Sequence, residues 1–292
     1  MFIATLIAVD RLTSGDISAA EDALRNVGNE PNGRSWVEPD SACDLLFGGS
    51  PGKARIALEG VVPGVDVIVQ GEAGRRRKLL AADMDSTMIT VECIDELADY
   101  AGVKAAVAEI TERAMRGELQ FEAALRERVA LLKGLNEGVL ARCFEERVRF
   151  TPGAEALVRT MRGNGAFCLL LSGGFTFFAD RVAAALGFDR AMSNRLVMAE
   201  GRLTGAVEPP IVGASEKHTA LLDAAAAHDL DLADTLAIGD GANDILMLEA
   251  AGLGVAYRAK PAVAAAAGAR IEHGDLTALL YAQGYSRAEW VT

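Results

Sequence analysis

The pattern of apolar and polar positions changes character near residue 79, and the two stretches predict different structure. Phe2 to Val9 is an almost unbroken apolar run of strand length. Asp16 to Val27 then carries apolar residues at helical spacing, opened by Asp16 as a cap. Ser35 to Gly48 holds two strand-like pieces around a Pro39-Asp40 turn, Lys53 to Val62 is helix-like, and Val65 to Gln70 is strand-like. The order β-α-β-β-α-β predicts a small α+β module over residues 1–75, of the split, ferredoxin-like kind that closes without crossing connections.

From Leu79 onward the pattern alternates between short, fully apolar strands and helices. Leu79 to Ala82 ends in two carboxylates, Ala166 to Leu171 in Ser172-Gly173-Gly174, and Thr235 to Ile238 in Gly239-Asp240-Gly241. Such alternation predicts an α/β domain over residues 76–292 with a doubly wound parallel sheet. Ligands of these sheets bind beyond the carboxyl ends of the strands, where all three polar clusters fall. The stretch from about Ile94 to Arg149 breaks the alternation with helical periodicity and charged faces, and is read as a helical cap inserted over that edge.

Composition narrows the chemistry. With 41 acidic against 29 basic residues the net charge is −12, a poor match for a nucleic-acid backbone. The one basic run, Arg75-Arg76-Arg77-Lys78, reads as a solvated linker or a pre-strand turn. Cys43, Cys93, Cys143 and Cys168 form no Cys-x-x-Cys pair, so buried reduced thiols are expected rather than a zinc knuckle or a disulfide framework. Met1 to Val9 lacks the basic start and small-residue cleavage site of an export signal. No apolar stretch reaches the roughly 18 to 20 residues of a membrane span. The expectation is a soluble cytoplasmic protein with no membrane partner. His218, His228 and His273 belong to no motif, Ser172 lies in no Gly-x-Ser-x-Gly turn, and no Walker loop is present.

The carboxylates carry the chemistry. Asp83 and Asp85 stand at i and i+2 on one side of an extended segment, and Asp240 and Asp244 form a second acidic pair at another strand end. Carboxylates held side by side repel unless a cation lies between them. Oxygen donors without His or Cys favour magnesium over zinc.

Asp83-Met84-Asp85-Ser86-Thr87, Ser172-Gly173-Gly174-Phe175, Lys217 and Gly239-Asp240-Gly241-Ala242-Asn243-Asp244 together resemble the motifs of the haloacid dehalogenase superfamily. Glu92, the stretch from Phe121 to Leu135 and that from Leu276 to Tyr285 extend the resemblance to its phosphoserine phosphatases, over about residue 79 to the C-terminus. The resemblance implies that Asp83 is the nucleophile and Asp85 the general acid and base. It implies a Mg2+ ion held by the Asp83 side chain, the Asp85 carbonyl and the Asp240 side chain, with Asp244 orienting a bound water or Lys217. Ser172, the Gly173 amide and Lys217 would receive the phosphate, and Asn243 the phosphate or the serine moiety. Glu92 would take the substrate ammonium and Arg128 its carboxylate, between apolar walls from Met115 and Phe121. Arg126 stands two positions away, so the choice of Arg128 rests on motif alignment.

The implied reaction is hydrolysis of O-phospho-L-serine, the last step of serine synthesis. Transfer of the phosphoryl group to another acceptor such as homoserine stays open. So does a serine-sensing role, because the first module has the element order of ACT domains. Such a module could equally serve packing or the pairing of two chains into a homodimer.

Overall fold

In the computed structural model, which describes residues 1–116 and 118–291, two sheets share one continuous core. The first contains β1 (Phe2–Ala8), β2 (Pro31–Glu38), β3 (Ala42–Phe47) and β4 (Val65–Gly71), in the antiparallel order β2-β3-β1-β4. Helices α1 (Ser14–Asn26) and α2 (Pro51–Leu58) cover one face, burying Leu6, Leu24, Leu45, Phe47 and Leu58. The ferredoxin-like order predicted for this stretch is what the chain adopts.

The start of α1 differs from its expected form. Its cap is Thr13, whose hydroxyl accepts the Asp16 N–H at 3.2 Å, while Asp16 sits at the third helical position and accepts the Thr13 N–H at 2.8 Å. The acidic residue belongs to a reciprocal capping box whose first member lies three residues upstream.

The second sheet contains β5 (Leu79–Ala82), β6 (Phe167–Phe175), β7 (Arg190–Ala199), β8 (Arg202–Glu208), β9 (Thr235–Gly239), β10 (Leu253–Tyr257) and β11 (Ala269–Ile271). Its order is β11-β10-β9-β5-β6-β7-β8. Every neighbouring pair is parallel except β7 and β8. The doubly wound parallel sheet expected is present, with β8 added antiparallel at one edge. The two residues joining β7 to β8, Glu200 and Gly201, take positive φ of 49° and 72°, which suits the twist of a tight hairpin. β6 also runs further than expected: Ser172, Gly173 and Gly174 lie within its span, with the pairing to β7 interrupted between Leu171 and Phe175.

Four helices, α3 (Cys93–Tyr100), α4 (Lys104–Met115), α5 (Phe121–Leu131) and α6 (Gly138–Arg147), fill the segment read as a cap. Two antiparallel connections close its base, with Thr90 N–H donating to Arg149 O at 2.9 Å and Thr151 N–H to Met88 O at 3.0 Å. The remaining helices flank the sheet: α7 (Ala154–Gly163), α8 (Thr176–Leu186), α9 (Ala214–Ala227), α10 (Ile245–Ala250), α11 (Pro261–Ala266) and α12 (Ala278–Ala282).

The face of the first sheet opposite α1 and α2 is also buried. Ile7, Ala42 and Ile68 join the main core together with Leu279, Leu280 and Tyr281 of α12, which explains why β1 is apolar on both faces. The basic run at 75–78 is not simply solvated, since each of its side chains is engaged. Arg75 pairs with Asp44 at 2.5 Å, Arg76 with Glu289 at 2.7 Å, Arg77 with Gln70 Oε1 at 2.7 Å and Lys78 with Asp234 at 3.0 Å.

Asp66 of β4, 4 % exposed, accepts backbone N–H groups of the loop after β11: Glu272 at 2.9 Å, His273 at 3.2 Å and Gly274 at 2.7 Å. Removing this carboxylate orphans all three donors, so Asp66→Ala is expected to cost about 3 kcal/mol in urea unfolding. A loss under about 0.5 kcal/mol would mean that the loop finds water instead.

Candidate active site

The predicted carboxylates converge at the carboxyl ends of β5 and β9. Asp83 directly follows β5, whose four residues are all fully buried, and its N–H donates to Ile238 O of β9 at 2.9 Å. The chain then makes one irregular turn over Met84–Met88, with Ser86 at a φ of +56°. Through this turn Asp83 and Asp85 both reach one cavity of about 660 Å³, rather than through the continued strand that the sequence pattern suggested.

That cavity is lined by Asp83, Asp85, Glu92, Phe121, Arg128, Gly173, Asp240 and Asn243 among the residues proposed from sequence. Lys217, Ser172 and Asp244 lie just beneath its wall, each fully buried. The side chain of Met115 lies outside the described residues.

Lys217 Nζ donates to Asp83 at 2.5 Å and to Asp244 at 2.7 Å. Burial alone would depress its pKa, but Asp244 and Asp83 together hold it above the ordinary lysine range. Asp244 is fixed from its other side by the Gly241 N–H at 3.0 Å. Gly239 is a packing requirement at this point, because a Cβ there would collide with the Asp244 carboxylate. Asp244 thus grips Lys217, and Lys217 grips Asp83.

One lysine does not balance the local charge. Oxygens of Asp83, Asp240 and Asp244 lie within 4.8 Å of one another. Burial, reinforced by the charge of Asp244, pushes Asp83 well above the usual carboxylate range, and burial pushes Asp240 up to about 6. Thr87, given no role from sequence, donates its hydroxyl to Asp240 at 2.8 Å and orients that carboxylate. Such a crowded set of hard oxygen donors fits a small divalent cation, whose charge would offset the repulsion. The Asp85 side chain is not in this cluster.

Asp85 instead accepts the Cys93 N–H at 3.0 Å, at the start of α3. Burial, and next the charge of Glu92, push its pKa up to about 7. A carboxyl poised there can both give and take a proton near neutrality. Gly174 leaves it room, since a Cβ at that position would strike the Asp85 carboxylate. Ser172 Oγ accepts the Gly174 N–H at 2.8 Å, which fixes the loop that opens toward the cavity.

The cap supplies the opposite wall. On α5, Phe121, Ala124, Leu125 and Arg128 form the stripe at i, i+3, i+4 and i+7 that faces the cavity. Arg126 points away, paired with Glu122 at 2.7 Å, so helix geometry separates two arginines that spacing alone left equivalent. Arg128 donates to Ala124 O at 3.3 Å and Thr111 Oγ1 at 3.5 Å, long contacts that leave guanidinium donors for an anion. Glu92, on the same cavity, accepts the Ser86 hydroxyl at 2.6 Å. Lys260, beyond β10, also lines the cavity and carried no motif signal. The site therefore offers one corner with carboxylates and a lysine beneath its wall, and a second corner where Arg128 stands with Glu92 and Asp95.

Comparison with known proteins gives the family. The haloacid dehalogenase-like hydrolase family matches residues 80–249. A phosphoserine phosphatase of Albidiferax ferrireducens is 46 % identical over 229 residues, which cover 75 % of this chain and 96 % of that protein. One from Streptomyces coelicolor is 45 % identical over 256 residues, 86 % of this chain and 62 % of that longer protein. The crystal structure of a probable phosphoserine phosphatase from Vibrio cholerae superposes with a TM-score of 0.79 at 34 % identity, covering 99 % of this chain and 87 % of that one. With the strand-end carboxylates, the buried lysine and the helical cap in one arrangement, the chain belongs to the haloacid dehalogenase-like hydrolases and stands among their phosphoserine phosphatases.

Proposed function

We propose that this chain hydrolyses O-phospho-L-serine to L-serine and phosphate through a covalent aspartyl-phosphate on Asp83, with Mg2+ as the cation of the acidic cluster. The observation that carries the reading is that Glu92 and Arg128, side chains of opposite charge, line the same cavity as Asp83 and Asp85. A substrate with a phosphate at one end and an ammonium and a carboxylate at the other matches both corners.

Lys217 engages one Asp83 oxygen, and the other attacks phosphorus as the bond to the serine oxygen breaks. Asp85, protonated at the start, gives its proton to that leaving oxygen. In the second step water attacks the phosphorus, Asp85 takes the water proton, and the Asp83 carboxylate is released as phosphate departs. Proton transfer of this kind contributes about 10² to 10⁴ in rate. The Gly173 amide, Ser172 and Lys217 receive the phosphate oxygens, and Asn243 stands beside them. Asp83 and Asp240 would hold the metal ion with the Asp85 carbonyl, and Asp244 holds Lys217 in place. The bound ion supplies positive charge that lets an anionic nucleophile approach an anionic ester. Glu92 and Arg128 orient the amino-acid end, and closure of the cap excludes water from the reacting groups. As the last step of a serine synthesis carried out in solution, the reaction needs no macromolecular partner.

The test is phosphate release from phosphoserine, phosphothreonine, phosphoethanolamine and a sugar phosphate, with and without magnesium. Phosphoserine is expected to be preferred, with release lost on chelation. Arg128→Lys is expected to raise the KM for phosphoserine about 10- to 50-fold while leaving phosphoethanolamine, which has no carboxylate, nearly unaffected. Preference for the sugar phosphate would reject the roles of Glu92 and Arg128.

A further inference from the structure

We propose that Gly213 is a positioning residue: its missing side chain forms the seat into which Phe121 of the cap closes. This inference rests on the reading above, in which the cap must close over a bound amino-acid phosphate. Phe121 opens α5, and its ring rests between two glycines of the core. A Cβ on Gly173 would stand 3.0 Å from Phe121 Cζ and 3.5 Å from Cε2. A Cβ on Gly213, just before α9, would stand 3.2 Å from Cδ1 and 3.6 Å from Cε1. Two different edges of one ring thus abut positions where the chain has no side chain.

The backbone does not demand glycine at 213. Its φ of −125° and ψ of −155° are extended, not left-handed. As the residue before a helix, Ser, Asp or Asn would cap α9 better than glycine does. What glycine offers here is space, and the nearest occupant of that space is Phe121. Gly173 faces the phosphate corner, so its small size has a second explanation. At Gly213 a Cβ would also stand 3.4 Å from Glu216 Oε2, which accepts the Gly213 N–H at 2.9 Å in the turn that leads to Lys217, but the Phe121 ring is nearer.

Filling the seat should hold the cap ajar without touching the reacting groups. Gly213→Val is expected to raise the KM for phosphoserine about tenfold, with kcat changed less than about twofold. The same substitution made on a Phe121→Ala background is expected to change KM by less than about twofold, because the colliding ring is gone. Gly213→Ala, the milder variant, should show the same dependence on Phe121 at smaller amplitude if Gly213→Val folds poorly. An equal KM shift in both backgrounds, or an unchanged KM in the otherwise unaltered chain, would overturn the proposal. So would a fall in kcat at constant KM, which would point to displacement of Lys217. If the unaltered chain prefers another phosphate ester, the function reading fails separately, and the same four-protein cycle is read on that ester.

Discussion

The Asp83→Asn protein is expected to turn over phosphoserine at least about 10⁴-fold more slowly than the unaltered chain while unfolding at a similar urea concentration. An amide oxygen carries no full negative charge and forms no stable phosphoryl ester, so the first covalent step has no nucleophile. The fold survives because Asn keeps the size of Asp and its carbonyl oxygen still accepts from Lys217, which sits 2.5 Å from Asp83. Acid quenching during turnover of phosphorus-labelled substrate should trap label on the unaltered protein and none on the variant. Near-normal phosphate release by the variant would remove Asp83 from the mechanism altogether, whatever the remaining residues do.

The Lys217→Met protein is expected to lose activity by roughly 10² to 10³ and also to lose stability by about 3 kcal/mol in metal-free buffer. Two effects coincide because Lys217 is fully buried and bonded to both Asp83 and Asp244. Methionine fills nearly the same volume, so little of the loss comes from a cavity. What remains is a pair of buried carboxylates beside Asp240 with their cation removed. Urea unfolding and phosphate release measured on one preparation separate the two effects. Unchanged stability would mean that the ion pair only offsets its own desolvation, while unchanged turnover would confine Lys217 to a structural role.

Asp83 stands in the linear pattern itself, whereas Lys217 enters only through the family resemblance. Two carboxylates ending an apolar strand, a second acidic pair ending another, and a glycine-rich break between them are legible because buried parallel strands leave their polar chemistry at the carboxyl edge. The βαββαβ order of the first module was legible for a similar reason, since short elements with clear turns between them close locally. The β7–β8 hairpin was not. Arg190–Ala199 and Arg202–Glu208 are half-exposed and carry mixed residues, so their period is weak until the Glu200-Gly201 turn is seen to pair them.

The sequence by itself placed the candidate carboxylates at strand ends and the cap between two of them, and its resemblance to a family singled out Lys217 and Arg128. Tertiary structure decided the partnerships. Only the packed helix α5 turns Arg128 inward and Arg126 outward, only the convergence of β5 and β9 brings Thr87 onto Asp240, and only the packing of the cap on the core sets Phe121 against Gly213. Local patterns report what each residue prefers over a few neighbours. The contacts Asp83–Lys217, Thr87–Asp240 and Phe121–Gly213 join residues separated by about 90 to 150 positions, where no local period extends and distances are fixed by the core alone.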